Sequence, residues 1–141
     1  MSRIYWDSML FIYWLEDNPL FIKRMKAIRR RMDERQDRLI TSAFTVGEVL
    51  AGPCRRGKSG QVDELRALLL GVISEIVPFT IDTADHYARI RGTLGVSAPD
   101  ALHLACAAQV GTDLFLTNDT ALIGKVIPGI QFIAGIDSNI L

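Results

Sequence analysis

Residues 97–119 read SAPDALHLACAAQVGTDLFLTND. The first part is an Ala- and Leu-rich helix headed by one carboxylate, Asp100. It is too uniformly apolar to face water, so it belongs in a core. The second part, Asp113 to Thr117 (DLFLT), is a short apolar strand that ends in Asn118-Asp119. A core helix feeding a short buried strand is the repeating unit of an α/β fold. Its parallel sheet is covered on both faces.

The flanking chain keeps that alternation. Arg3 to Trp6 (RIYW) predicts a strand and Ser8 to Glu16 a helix. Asn18-Pro19 predicts an N-cap followed by proline at the first helical position, and Phe21, Met25, Ile28 and Met32 form one stripe of the helix it opens. Leu39-Ile40-Thr41 reads as a strand, followed by a helix running to the Gly52-Pro53 break. Val62, Leu65, Leu69 and Val72 mark another helix. Glu75 to Phe79 (EIVPF) is the next strand, and Tyr87, Ile90 and Leu94 lie on the helix after it. Beyond Thr117 the pattern predicts a short helix and a last strand at Ile130 to Ile133 (IQFI). No repeat, linker or low-complexity segment interrupts residues 1–141, which are expected to form a single domain.

Composition excludes several classes. Of 141 residues, 49% are hydrophobic and 23% charged, which is globular and not disordered. The longest apolar run, Ala67 to Ile73, is too short to span a bilayer, and the N-terminal segment has Asp7 inside it and no small-residue cleavage pattern. Cys54 and Cys106 read as free thiols in a reducing cytoplasm. Net charge is zero, but eight of the 16 Lys/Arg and only three of the 16 Asp/Glu fall between Lys23 and Arg38. This basic helix, Arg29, Arg30 and Arg31 included, is either a solvated face or a surface for an anionic ligand. His86 and His103 have no partner at zinc spacing; His103, one helical turn after Asp100, either faces the acid site or makes a polar contact within the helix packing. The chain has no G-x-S-x-G, no phosphate-binding G-x-x-x-x-G-K-[ST] and no G-x-G-x-x-G after a strand. The Met25/Met32 pair is core packing.

Four acids carry the remaining chemistry. Asp7 follows the RIYW strand and Asp119 the DLFLT strand, and ligands of open α/β sheets gather at such carboxyl ends. Asp100 and Glu48 stand near helix starts. Each has an ordinary explanation: Ser97-x-x-Asp100 and Thr45-x-x-Glu48 fit capping boxes, and Asp7 and Asp119 suit N-caps. This architecture, however, brings all four to one edge of the sheet. Two unit charges about 4 Å apart repel by about 4 kcal/mol at an effective dielectric near 20. Such a cluster must protonate in part or hold a divalent cation. All-oxygen ligands select Mg²⁺ or Mn²⁺ over zinc, and that equipment suits phosphodiester hydrolysis.

The motifs YWDS at Asp7, TVGEVLAGP at Glu48, PDALHLACA at Asp100 and FLTND at Asp119 together resemble the PIN-domain nucleases, most of all the VapC-type toxins of toxin–antitoxin pairs. The likeness spans nearly the whole chain. It implies a three-layer α/β/α sandwich and a metal site built from Asp7, Glu48, Asp100 and Asp119, with Thr117, Asn118 and Ser8 as polar neighbours of metal or substrate. It also implies a Mg²⁺- or Mn²⁺-dependent endoribonuclease, homodimerisation, and an antitoxin partner whose tail covers the active site. Many members place a small polar residue two positions after the first Asp, where this chain has Met9. Two rivals stay open: a PIN nuclease of RNA processing or structured-DNA cleavage, and a non-catalytic metal- or RNA-binding module.

Overall fold

The computed structural model describes residues 1–139 and Leu141. Five strands, β1 (Arg3–Trp6), β2 (Arg38–Ser42), β3 (Glu75–Val77), β4 (Thr112–Thr117) and β5 (Ile130–Gly135), form one sheet. Their order is β3-β2-β1-β4-β5, and every neighbouring pair is parallel. Between them run helices α1 (Ser8–Leu15), α2 (Ile22–Arg35), α3 (Ala43–Arg55), α4 (Ser59–Val72), α5 (Ile81–Leu94) and α6 (Ala98–Val110).

Alternation along each strand builds the three layers. Tyr5, Ile40, Phe115 and Ile133 point to the face covered by α5 and α6. Ile4, Trp6, Leu39, Leu114 and Leu116 point to the face covered by α1 to α4. Tyr5 and Phe115 stack at 5.1 Å between neighbouring strands, and Trp6 packs against Phe11 and Trp14 of α1. Burying a side chain of Leu or Phe size contributes about 1.5–3 kcal/mol, so these two faces supply the main drive to fold. The Ala- and Leu-rich α6 is the more deeply buried helix of its layer, with Ala101 and Leu104 to Ala107 fully buried. It ends at Gly111, whose φ of +71° turns the chain into β4.

Sheet order reverses at β1: β2 and β3 lie to one side, β4 and β5 to the other. The carboxyl ends of β1 and β4 therefore flank the switch point, where open α/β sheets bind ligands.

Several local expectations are corrected. Asn18 is not the N-cap of α2: its side chain closes a turn by accepting from Leu20 N at 2.9 Å, Pro19 sits in that turn, and α2 starts only at Ile22 with Phe21 as its N-cap. α3 continues through Pro53 to Arg55. A proline in the last turn removes a single helical hydrogen bond, which a buried Pro53 side chain offsets. β3 stops at Val77, because Pro78 has no N–H to extend the ladder. The segment after β4 makes turns closed by Leu122 N to Asp119 O and Lys125 N to Leu122 O, not a helix. It is too short to offset helix nucleation before Pro128-Gly129. Among the described residues no helix is long and apolar enough to cross a membrane.

Candidate functional site

A cleft of about 410 Å³ opens at the switch point, lined by Asp7, Ser8, Met9, Glu48, Asp100 and His103 among others. Asp7 lies at the end of β1 as the N-cap of α1. Its Oδ1 accepts from Leu10 N at 3.3 Å, and its Oδ2 accepts from the Thr117 hydroxyl at 2.7 Å. The same Thr117 oxygen accepts from Asp119 N at 3.0 Å, so one hydroxyl ties the ends of β1 and β4 together. Asp119 also caps its turn by accepting from Ala121 N at 3.0 Å. Asp100 stands in the first turn of α6, where Ser97 is the N-cap. Ser42, not Thr45, caps α3. Glu48 therefore has no capping role and projects from the second turn of α3. The structure brings Asp7, Glu48 and Asp100 into one cleft, with Asp119 adjoining Asp100.

The electrostatics differ from acid to acid. Burial pushes the Asp7 carboxyl above its ordinary range, against the Thr117 hydrogen bond and nearby His103. Burial, and then the neighbouring Asp119 carboxyl, raise Asp100 as well. Glu48 moves the other way. The hydrogen bond from His103, at 3.1 Å to Oε1, holds it below the usual carboxylate range, and the Ser8 hydroxyl adds a second donor. Raised carboxyls in a solvent-accessible cleft are groups that a cation would stabilise.

The donor set is all oxygen, which fits Mg²⁺ or Mn²⁺. Among the described residues no group of three or more His, Cys, Asp or Glu side chains is placed to hold a metal ion by itself. A cation here would keep several waters, the normal habit of Mg²⁺. Asp7 and Asp100 line the cleft and Asp119 adjoins Asp100, so these carboxylates could supply the protein's share of its ligands.

The other expected residues divide. Ser8 and Thr117 contact the acids directly, whereas Asn118 turns away to donate to the Tyr13 hydroxyl at 3.3 Å. Arg29, Arg30 and Arg31 lie on α2 and do not line the cleft. Arg29 pairs with Asp33 at 3.3 Å and Arg31 with Glu34 at 3.5 Å on the same helix. One cleft residue escaped the sequence reading. Arg55 is the cleft's basic side chain, and its signal was the seven-residue spacing from Glu48, which puts both on one face of α3. His103, expected either to face the acids or to make a polar contact within the helix packing, does both: it lines the cleft and is buried against polar partners.

The PIN domain family model matches residues 4–125. Ribonuclease VapC23 of Mycobacterium tuberculosis is 30% identical over 121 residues, covering 84% of this chain and 94% of the relative. A chain from the structure of VapBC2 from Rickettsia felis bound to a DNA fragment from their promoter superposes with a TM-score of 0.75. It is 16% identical and covers 94% of this chain and 98% of that one. A chain of VapBC-1 from nontypeable Haemophilus influenzae gives 0.67 at 19% identity, covering 83% and 87%. At those identities the two superpositions speak for the fold.

Proposed function

The chain belongs to the PIN-domain family, and from that footing we propose that it is a metal-dependent endoribonuclease, the toxin of a VapBC-type pair acting in the cytoplasm. The observation that carries this reading is the gathering of Asp7, Glu48 and Asp100 in the switch-point cleft, with Asp119 against Asp100. Fold alone would not demand it, since capping needs none of these acids to be near another. The 30% identity to a ribonuclease supports the same activity.

When bound, Mg²⁺ or Mn²⁺ supplies Lewis-acid activation of water and stabilises charge on the phosphoryl oxygens. Asp7, Asp100 and Asp119 would hold the ion, with Thr117 fixing the Asp7 oxygen it donates to. Glu48 would orient the attacking water or complete the ligand set. Arg55, at the cleft wall, binds a phosphate of the RNA strand; Arg29, Arg30 and Arg31 serve as contacts farther along it.

Two partners belong to the proposal. A groove of about 320 Å³ between α1, α3 and α4 is lined by Leu15, Val49, Leu65 and Leu68, with Glu16, Arg56, Gln61 and Glu64 among its polar residues, and shares Ile12 with the cleft. It suits an amphipathic antitoxin segment that ends over the active site. Exposed Phe79, Ile81 and Val126 offer apolar surface for a homodimer.

The deciding assay incubates partner-free protein with RNA and Mg²⁺, Mn²⁺ or EDTA. Cleavage is expected with either metal and is expected to disappear in EDTA and in Asp100→Asn. RNA left intact in every lane by a protein that binds Mn²⁺ would instead establish a binding module.

A further inference from the structure

A polar side chain buried among apolar ones needs partners, and those of His103 come from two distant parts of the chain, residues 5–8 and 45–48. The ring is only 5% exposed, inside the Ala- and Leu-rich α6. Its Nδ1 lies 2.9 Å from the Tyr5 hydroxyl on β1, with the Thr45 hydroxyl farther away at 3.5 Å. Its Nε2 lies 3.1 Å from Glu48 Oε1 on α3 and 3.2 Å from Ser8 Oγ on α1. Ser8 also donates to Glu48 Oε1.

With a neutral imidazole ring these contacts fit one arrangement of protons. A carboxylate only accepts, so the nitrogen facing Glu48 carries the hydrogen. Nδ1 is then a lone-pair acceptor, which the Tyr5 hydroxyl satisfies by donating. Packing holds the ring in place: Phe44 lies at 5.4 Å on one side and the Tyr5 ring at 5.9 Å in an edge contact. Tyr5 is in turn stacked on Phe115 in the core. The result is a chain of contacts from the middle of the sheet to one oxygen of Glu48.

We propose that Tyr5 and His103 are positioning residues for Glu48: Tyr5 selects the Nε2–H tautomer, and His103, with Ser8, fixes the direction of the Glu48 carboxylate toward the cleft. Asp7 is oriented by Thr117 and by the α1 backbone. Glu48 has no backbone donor, because it lies beyond the first turn of its helix, so it depends on side chains for its orientation. The catalytic consequence rests on the nuclease reading above; the tautomer and the carboxylate orientation do not.

The test therefore has two arms. In the first, ¹⁵N NMR of the metal-free protein should show His103 protonated at Nε2 and bare at Nδ1, and Tyr5→Phe should introduce the Nδ1–H form. The Glu48 carboxyl ¹³C resonance should shift in His103→Leu and stay near its wild-type place in His103→Gln, whose amide N–H can replace Nε2–H. In the second arm, RNA cleavage should lose about 10- to 100-fold in kcat in His103→Leu with KM little changed, and His103→Gln should recover most of it. A wild-type ring protonated at Nδ1 overturns the proposal, as does a folded His103→Leu with unchanged Glu48 resonance and unchanged kcat. Should His103→Leu not fold, the wild-type and Tyr5→Phe spectra decide. A wild-type protein that leaves RNA intact while showing the expected spectra would remove the nuclease reading and leave the positioning one standing.

Discussion

At the amino ends of the strands, Asp37 pairs with Arg35 at 3.0 Å and accepts from Ser2 N at 2.7 Å. Beside it, Asp113 accepts from Arg3 N at 2.8 Å, and Glu75 meets Arg3 at 3.2 Å and Arg38 at 4.0 Å. At the carboxyl ends, Asp7, Glu48 and Asp100 share a cleft with Arg55 as its basic side chain, and Asp119 adds to the negative charge at Asp100. The acids are of the same kinds, yet one edge of the sheet is neutralised by its own chain and the other is not. Folding alone would favour compensating both edges, since close like charges are costly. On the proposed nuclease reading, the uncompensated edge is the one that meets a cation and a substrate. Position within a charge environment, not residue type, then separates the structural acids from the proposed functional ones.

The largest effect should come from neutralising one acid at each edge. Asp7→Asn is expected to lower RNA cleavage by more than about a hundredfold, beyond what removing an outer partner of a metal ligand costs. Its melting temperature in EDTA should be equal to or above that of the wild type, because a half-buried charge is gone. Asp37→Ala should do the opposite. It leaves Ser2 N without its acceptor and Arg35 without its counter-ion, a loss of about 1–3 kcal/mol, while cleavage per folded molecule stays the same. Melting curves with and without Mg²⁺, beside cleavage rates, read both. An Asp7→Asn protein that melts early, or an Asp37→Ala protein that is folded but inactive, would erase the distinction between the edges.

Acid titration sharpens the contrast inside the cleft. Asp7 has a folded pKa above its unfolded value. Between the two values the native state binds more protons than the unfolded one, so stability falls as pH rises through that window. The advantage of Asp7→Asn in EDTA should therefore vanish below the ordinary carboxylate range and grow to a plateau above the raised pKa. Glu48 is shifted down by His103 and Ser8, so its contribution is present above its unfolded pKa and lost as pH falls through the folded one. Glu48→Gln should accordingly cost stability at neutral pH and lose that penalty on acidification. Equal pH profiles for the two variants would show that the cleft acids share one environment.

How much of this was readable in advance follows from the range of the interactions involved. The strand and helix order is local patterning: RIYW and DLFLT alternate faces, and the stripe at Met25, Ile28 and Met32 has helical period, with all three residues buried. The placing of Asp7 and Asp119 at strand ends is nearly local as well, because a strand's exit and the next N-cap are adjacent in sequence. Their gathering with Asp100 and Glu48 follows from the sheet order. Pro53 misled because a helix proline costs one i−4 hydrogen bond and crowds the turn before it, a cost that burial of the Pro53 ring offsets here. The role of His103 was illegible for a different reason. Tyr5, Ser8 and Glu48 lie 98, 95 and 55 residues from it, so no periodicity connects them. The basic run on α2 drew attention by density, yet density says nothing about which side of the sheet a helix covers.

The smallest effect compares the two basic surfaces. Arg55 faces the cleft two turns after Glu48 on α3, whereas Arg29 and Arg31 are engaged by Asp33 and Glu34 on α2. A phosphate held by Arg55 lies next to the reacting one, so that contact helps align the scissile bond as well as bind the strand. Arg55→Glu is expected to weaken RNA binding, to lower kcat by a few-fold, and to reduce the slope of log K against log salt by about one phosphate contact, roughly 0.7 for a single strand. Charge reversal at Arg29, Arg30 and Arg31 should flatten the salt slope while leaving kcat unchanged, because those contacts lie outside the cleft. Filter-binding titrations across a salt series, with single-turnover rates at saturating protein, separate the two. If the α2 variant lost kcat and Arg55→Glu did not, the substrate would approach over α2, and the uncompensated edge would have to be read from that side.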